Sequence, residues 1–226
     1  MRHSGKALIV RGGWEGHDPV NATDIFIPFL SAHGYEVRVA GSPTAYLEDL
    51  SNVDLIVQCV TMGTIEPAEL DALLAAVEAG TGLAGWHGGI IDSFRNASGY
   101  LHLTGAQFAA HPGPEGGQSV RHTIRMTPAG KEHPITTGLS DFDLVTEQYW
   151  VLADSYIDVL ATTTQSCSDG DPWHREVTSP AIWTRQWGRG RIFAATPGHS
   201  TAVLQHPSVR TIIERGLLWA ATKDTE

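Results

Sequence analysis

Short apolar runs alternate with helical patterns along the first half of the chain. Each run is short enough to be a single buried or half-buried strand. The predicted strands are KALIV at 6–10, YEVRVA at 35–40, DLIVQCV at 54–60 and GLAGWH at 82–87. Strands and helices that alternate in units of about thirty residues predict a parallel sheet with right-handed crossover connections.

Apolar residues at helical spacing predict the helices that separate and follow these strands. The predicted helices are 21–34, 43–50, 66–80 and 206–222. The clearest of them has Leu70, Leu73 and Val77 on one face and ends at Gly80, a residue type common just after a helix. The first contains Pro28, which predicts a kink or a later start of that helix.

The second half of the chain has mainly strand patterns. The predicted strands are 117–127, 145–152, 157–164 and a pair within 179–196. The turn WGRGR at 187–191 predicts a hairpin inside the last pair, so some of these strands are antiparallel. We therefore expect an α/β three-layer sandwich with a mostly parallel central sheet and an antiparallel extension. No linker divides residues 1–226, so we expect one domain.

The composition favours a small neutral or weakly polar ligand over a nucleic acid. The chain is 42% hydrophobic and 18% charged, which allows a substantial buried core. Its formal net charge is -10, and it has no block of Lys or Arg, whereas phosphate binding needs a positive field. We expect no nucleic-acid partner.

The cysteines and the chain's apolar runs indicate a cytoplasmic protein. Cys59 lies in a predicted buried strand and Cys167 in the loop TQSCSDGD, so no disulfide is expected between them. The apolar run near the N-terminus is too short for a signal peptide, and no run is long enough to span a membrane. A homodimer is the default expectation, because symmetric dimers are the commonest assemblies.

Residues that could bind a ligand follow several of the predicted parallel strands. The carboxyl ends of such strands meet at one edge of the sheet, where α/β proteins bind ligands. This rule brings together segments 11–17, 61–64 and 86–92. Candidate substrate-binding residues in and near them are Arg11, Trp14, Trp86, Asp92 and His111, with Trp14 offering an apolar face to a sugar ring. Asp92 could instead cap a helix.

The sequence LAGWHGGI at 83–90 has the glycines of a nucleophile elbow, with His87 where such an elbow has Ser or Cys. Histidine does not replace a nucleophile activated by a base, but it suits proton transfer or metal binding near neutral pH. The alternative is a hydrogen-bonded structural histidine. The small neighbouring residues favour a side chain that faces a ligand.

His17, Glu147 and His199 are the other candidate catalytic residues. His17 follows the first strand in GGWEGHDPV, and His199 follows a later strand in FAATPGHST. Glu147 lies within the predicted strand VTEQYWVL, where an inward-facing carboxylate is costly unless it is paired. The alternatives are loop histidines and an outward-facing, solvated glutamate.

The chain resembles the ThuA-like, or trehalose-utilisation, family. The matching segments are GLAGWHGG at 82–89, AQFAAHP at 106–112, HPITTGL at 133–139, TEQYW at 146–150 and PAIWTRQWGRGRIFAATPGH at 180–199. The resemblance implies a flavodoxin-like fold similar to class I glutamine amidotransferases, and a role in using sugars or keto-sugars. Thr146 stands where the family more often has a second acid.

The resemblance implies that the glutaminase mechanism is absent, because His87 replaces the elbow cysteine and neither cysteine falls at an elbow. Our leading hypothesis is a sugar-modifying isomerase, lyase or hydrolase that uses His17, His87, Glu147 and His199. These same side chains could bind zinc, manganese or iron. The alternative is a non-catalytic sugar-binding or regulatory protein on the same scaffold.

Overall fold

A nine-stranded sheet runs through the centre of the molecule, with a separate two-stranded sheet beside it. The computed structural model describes residues 5–112 and 119–222. The strands are β1 (Gly5–Gly13), β2 (Tyr35–Ala40), β3 (Leu55–Thr61), β4 (Gly82–Trp86), β5 (Ala106–Ala110), β6 (Val120–Met126), β7 (Phe142–Thr146), β8 (Trp150–Ala153), β9 (Asp158–Gln165), β10 (Val177–Trp187) and β11 (Gly190–Ala195).

The large sheet is parallel in one half and antiparallel in the other. Its order is β2-β1-β3-β4-β11-β10-β9-β6-β7, and the first five strands of this order pair in parallel. The remaining pairs are antiparallel, and β5 and β8 form the small antiparallel sheet. The expected parallel sheet with an antiparallel extension is confirmed.

Helices flank the large sheet, most of them on the two faces of its parallel half. They are α1 (Pro19–Asp24), α2 (Ile27–Ala32), α3 (Pro67–Glu78), α4 (Gly88–Ile91), α5 (Ser98–Thr104), α6 (Pro128–Glu132), α7 (Thr201–Leu204) and α8 (Pro207–Ala221). Short 3-10 turns occupy Glu15–His17 and Pro43–Leu47. None of the helices in the described ranges is long and apolar enough to cross a membrane.

Two apolar cores separate the sheet from its helices. Successive residues of β1 alternate between them: Ile9 packs with residues of α2 and α8, whereas Leu8 and Val10 pack with residues of α3 and α5. Strands β3 and β4 are buried along their whole length, as parallel strands covered on both faces must be. This gives the expected three layers.

Three expectations about individual elements are wrong. Segment 21–34 forms two short helices rather than one, and Pro28 lies in the first turn of α2, where its missing N–H costs no hydrogen bond. Segment 43–50 contains a 3-10 turn. Segment 145–152 is not one strand, because β7 and β8 belong to different sheets and residues 147–149 connect them.

The other predicted elements are found within a few residues of their expected bounds. β5, at 106–110, is a strand that the sequence pattern did not predict. The hairpin turn joins β10 to β11 as expected. Residues 117–118, at the start of the predicted strand 117–127, lie outside the described residues.

Replacing Gly216 with alanine should destabilise the protein, although alanine favours a helix interior over glycine by about 1 kcal/mol. Gly216 lies in α8, and an added Cβ would overlap the ring of Phe193 in β11. We expect a net loss of about 1–3 kcal/mol, the usual cost of overpacking a core. Urea unfolding measures it, and an increased midpoint would contradict this account of the packing of α8.

Candidate functional site

His87 occupies a tight strand-to-helix turn at the carboxyl end of the parallel sheet. β4 ends at Trp86, α4 begins at Gly88, and His87 between them has φ 50° and ψ −146°. A positive φ is strained for a residue with a side chain. An added Cβ on Gly85 would lie 2.5 Å from the Gln58 carbonyl oxygen, and one on Gly89 would lie 2.9 Å from the Cys59 Cα. These glycines therefore let the predicted elbow pack against β3.

The elbow directs the His87 imidazole into the interior, where each ring nitrogen has a distinct environment. Nδ1 lies 2.8 Å from the Thr196 carbonyl oxygen, which can only accept, so Nδ1 carries the hydrogen. Burial lowers the pKa of His87 to about 4, despite the opposing influence of Glu147. The ring is therefore neutral near pH 7, and Nε2 has no hydrogen.

Glu147 lies in the connection between β7 and β8, and not within a strand as the sequence pattern predicted. Two buried glutamines fix this connection against β9. Gln148 donates from Nε2 to Thr163 Oγ1 at 2.7 Å, and Gln165 donates from Nε2 to the Tyr149 carbonyl oxygen at 2.8 Å. The carboxylate is thereby held inside the protein, 9% exposed, with Oε2 3.1 Å from His87 Nε2.

Two further predicted histidines approach the same carboxylate oxygen. His17 lies 2.9 Å through Nδ1 from Thr61 Oγ1, and its Nε2 is 3.9 Å from Glu147 Oε2. His199 Nδ1 is 3.1 Å from Glu147 Oε2, but this buried atom has no hydrogen-bond partner. The two rings also meet edge to face, with centroids 5.2 Å apart.

His111 extends the group of imidazoles around Glu147. Its Nε2 lies 3.6 Å from Glu147 Oε2, and its Nδ1 is 3.3 Å from the Gln148 carbonyl oxygen. Imidazole nitrogens from distant parts of the chain thus converge on one carboxylate oxygen. We call His17, His87, Glu147 and His199 the His–Glu cluster, because their candidate ligand atoms all lie within 4.8 Å of one another.

The surrounding imidazoles determine the charge of the carboxylate. Burial alone would raise the pKa of Glu147, but the nearby His17 and His199 imidazoles outweigh burial and hold that pKa well below its usual range. Glu147 is therefore ionised at neutral pH. Its negative charge is enclosed by rings of which at least His87 is neutral, an environment that favours a bound cation.

The remaining predicted ligand contacts have different positions relative to the cluster. Trp14 lies beside the cluster, 47% exposed, with its ring centroid 4.7 Å from that of His17. Trp86 points instead into the core, where its ring packs against Phe26 at 4.8 Å. The structure therefore does not bring Trp86 to the cluster.

Two charged residues predicted to contact substrate are engaged in ion pairs outside the cluster. Arg11 forms an ion pair with Asp24 and also donates to Thr23. Asp92 receives two hydrogen bonds from Arg95, including one of 2.6 Å from Nη2, and its position at the end of α4 is not that of a helix N-cap. A contact of either residue with substrate stays a prediction.

Tyr149 is a site residue that our sequence reasoning missed. Its hydroxyl lies 2.8 Å from His87 Nε2, and its ring stacks on the His87 ring with centroids 4.2 Å apart. Burial and the nearby Glu147 raise the pKa of Tyr149 well above its usual value, so the phenol is a neutral donor. The spacing Glu-x-Tyr in TEQYW was visible, but nothing in it shows that the connection between sheets turns both side chains inward.

Comparison with known sequences identifies the family. The ThuA family profile, described as trehalose utilisation, matches residues 6–220. The chain belongs to the ThuA family. No match was found among curated proteins.

Solved structures of related fold agree with this assignment. A ThuA-like protein from Parabacteroides merdae has a TM-score of 0.76 at 18% identity, covering 96% of this chain and 90% of its own. A second, from Bacteroides uniformis, has a TM-score of 0.76 at 20% identity, covering 98% and 93%. A cytoplasmic protein from Salmonella typhimurium has a TM-score of 0.65 at 15% identity, covering 95% and 99%. At these identities the similarity shows the fold alone.

Replacing Gly88 with alanine should displace His17 without preventing folding. An added Cβ would lie 2.6 Å from Cε1 of the His17 ring and 2.9 Å from the Thr61 methyl group, so the imidazole must move. We expect altered His17 imidazole resonances in NMR spectra and a loss of stability of about 1–3 kcal/mol. Gly99→Ala is the control, because its added Cβ would meet only the flexible Leu70 and Leu74 side chains. Unchanged His17 resonances in Gly88→Ala would contradict the close approach.

Proposed function

We propose that this ThuA family member is a sugar-modifying enzyme of carbohydrate utilisation that acts on a sugar or keto-sugar at the His–Glu cluster. The convergence of imidazole nitrogens on Glu147 Oε2 is the single observation that carries the proposal. A group of titratable side chains gathered at the carboxyl ends of parallel strands is typical of an active site. The family's description supports carbohydrate as the substrate class.

We further propose that the cluster binds a divalent cation, and its donor atoms fit one. Three imidazoles and one carboxylate form a ligand set that suits zinc, manganese or iron. His87 Nε2, which has no hydrogen, lies 3.1 Å from the negatively charged Glu147 Oε2, and two acceptor atoms this close favour a cation beside them. Nδ1 of His199 is buried and has no hydrogen-bond partner, so it is a further atom that could bind the cation.

The hydrogen bonds to the rings are those expected around ligating histidines. Thr196 fixes the His87 ring through its backbone carbonyl, and Thr61 contacts Nδ1 of His17. Such partners orient ligating imidazoles in metal sites. A bound cation would polarise a sugar carbonyl or hydroxyl oxygen as a Lewis acid.

The chain's own side chains suit proton transfer on a keto-sugar. A keto group acidifies the neighbouring C–H bond, so isomerisation or elimination requires a positioned base. In a site without a bound cation, His199, which is 28% exposed and the most accessible member of the cluster, is our candidate for that base. Trp14, exposed beside His17, offers an apolar face on which a sugar ring can stack.

The residues around the elbow argue against covalent glutamine hydrolysis. His87 occupies the elbow position, and Cys59 lies beneath it on β3, fully buried. Burial raises the pKa of the Cys59 thiol to about 12, so the nucleophilic thiolate does not form at neutral pH. Cys167 is exposed in the loop between β9 and β10. We also propose a cytoplasmic location and a homodimeric assembly.

Elemental analysis of protein purified without a His-tag tests the cation site. We expect close to one divalent cation per chain in the natural protein and a loss of at least about tenfold in affinity in His87→Ala, because a ligand atom is removed. His33→Ala is the matched control, since this exposed histidine lies outside the cluster. A natural protein that holds no cation after reconstitution with zinc, manganese and iron would contradict the site.

Trp14→Ala should weaken sugar binding without changing the cation content. Loss of a stacking ring corresponds to about 0.5–1.5 kcal/mol, or roughly a two- to tenfold higher dissociation constant. Trp14→Phe keeps an aromatic face and should retain most of the affinity. Calorimetric titration with trehalose and with keto-sugars measures the difference. Equal affinity in all three proteins would exclude Trp14 as the sugar-stacking residue.

A further inference from the structure

The Tyr149 hydroxyl lies between two groups of the elbow. Its oxygen lies 2.8 Å from His87 Nε2, and the nearby Gly88 backbone N–H acts to lower the pKa of the hydroxyl. Because the hydrogen of the His87 ring is on Nδ1, facing the Thr196 carbonyl, Nε2 must accept from the hydroxyl. The Gly88 amide follows the elbow residue, the position whose N–H stabilises an oxyanion in hydrolases with a nucleophile elbow.

The lone pair of His87 Nε2 can serve only one partner. An imidazole nitrogen without hydrogen has a single lone pair in the ring plane, so it accepts one hydrogen bond or binds one cation. Any ligand that binds Nε2 therefore breaks the hydrogen bond that the Tyr149 hydroxyl donates to it. A buried hydroxyl without an acceptor is costly, and the Tyr149 side chain is only 2% exposed. Its hydroxyl therefore needs a new hydrogen-bond acceptor within the site.

We propose that Tyr149 is a displaceable hydrogen-bond donor, which holds His87 Nε2 in the free site and donates to a sugar oxygen once a ligand occupies that nitrogen. The inference rests on the proposed function for its ligands, a divalent cation and a sugar. The sugar supplies the acceptor, since each of its hydroxyl and carbonyl oxygens has lone pairs.

The stacking of the two rings makes this exchange local. The Tyr149 and His87 rings lie 4.2 Å apart at 27°, and Gln165 anchors the Tyr149 backbone carbonyl to β9. The ring can therefore stay in place while the O–H bond rotates about its C–O axis. Glu147 Oε2, which also lies beside Nε2, is the competing acceptor within the described residues.

Tyr149→Phe tests the proposal, because it keeps the stacked ring and removes only the hydroxyl. Zinc titration should show roughly fivefold tighter binding in the variant, the factor expected when one net hydrogen bond no longer has to be broken. Trehalose and keto-sugars should bind the zinc-loaded variant several-fold more weakly than the zinc-loaded natural protein. Tyr156→Phe is the control, since this tyrosine is exposed, and it should change neither value.

Zinc affinity that is equal or weaker in Tyr149→Phe would overturn the displacement. Weaker zinc binding would mean that the Tyr149 hydroxyl helps to hold the cation. Unchanged sugar affinity would mean that the hydroxyl donates to Glu147 rather than to the sugar. Both results contradict the proposal.

A natural protein that binds no zinc would overturn the cation site of the proposed function and leave Tyr149 testable. In the metal-free protein, the ¹⁵N resonance of His87 Nε2 should shift in Tyr149→Phe, and sugar should bind this variant more weakly. If either the resonance or the sugar affinity is unchanged, the proposal fails on its own account.

Discussion

The ionised carboxylate of Glu147, enclosed by imidazole rings, imposes the main constraint on this protein. A buried charge costs several kcal/mol unless its surroundings compensate for it. Here the compensation comes from ring nitrogens that lie 3.1–3.9 Å from a single oxygen, supplied by segments far apart in the chain. Because the neutral His87 imidazole does not balance the charge, we propose that a cation occupies the site.

The scaffold explains how such distant residues can meet. The parallel strands bring His17, His87 and His199 to the same edge of the sheet, each just after the carboxyl end of a strand. The antiparallel extension brings Glu147 from the opposite side, held by glutamine side chains against β9. The strained elbow projects His87 into the space between them. An elbow that positions a nucleophile in other enzymes therefore positions a neutral imidazole here.

Sequence periodicity was sufficient for the strands of the parallel half and for α3 and α8, because these strands are covered on both faces and these helices have one apolar face. The rule that ligands bind at the carboxyl ends of parallel strands selected His17, His87 and His199, whereas Glu147 was selected as a carboxylate that is costly within an apolar run. Periodicity failed for segment 145–152, since an apolar run does not reveal that the chain passes from one sheet to another at Glu147. The core position of Trp86 and the inward orientation of Tyr149 depend on tertiary packing, which local spacing does not encode.

Anomalous X-ray scattering from crystals of the zinc-loaded protein tests the central claim most directly. The account predicts one anomalous peak per chain, about 2.0–2.2 Å from the ligand nitrogen and oxygen atoms of His87, Glu147 and the neighbouring imidazoles. A fully loaded crystal with no peak among these side chains, or with zinc bound elsewhere on the chain, would contradict it. The buried carboxylate would then be compensated by protonated histidines, and the site would be one of acid–base residues alone.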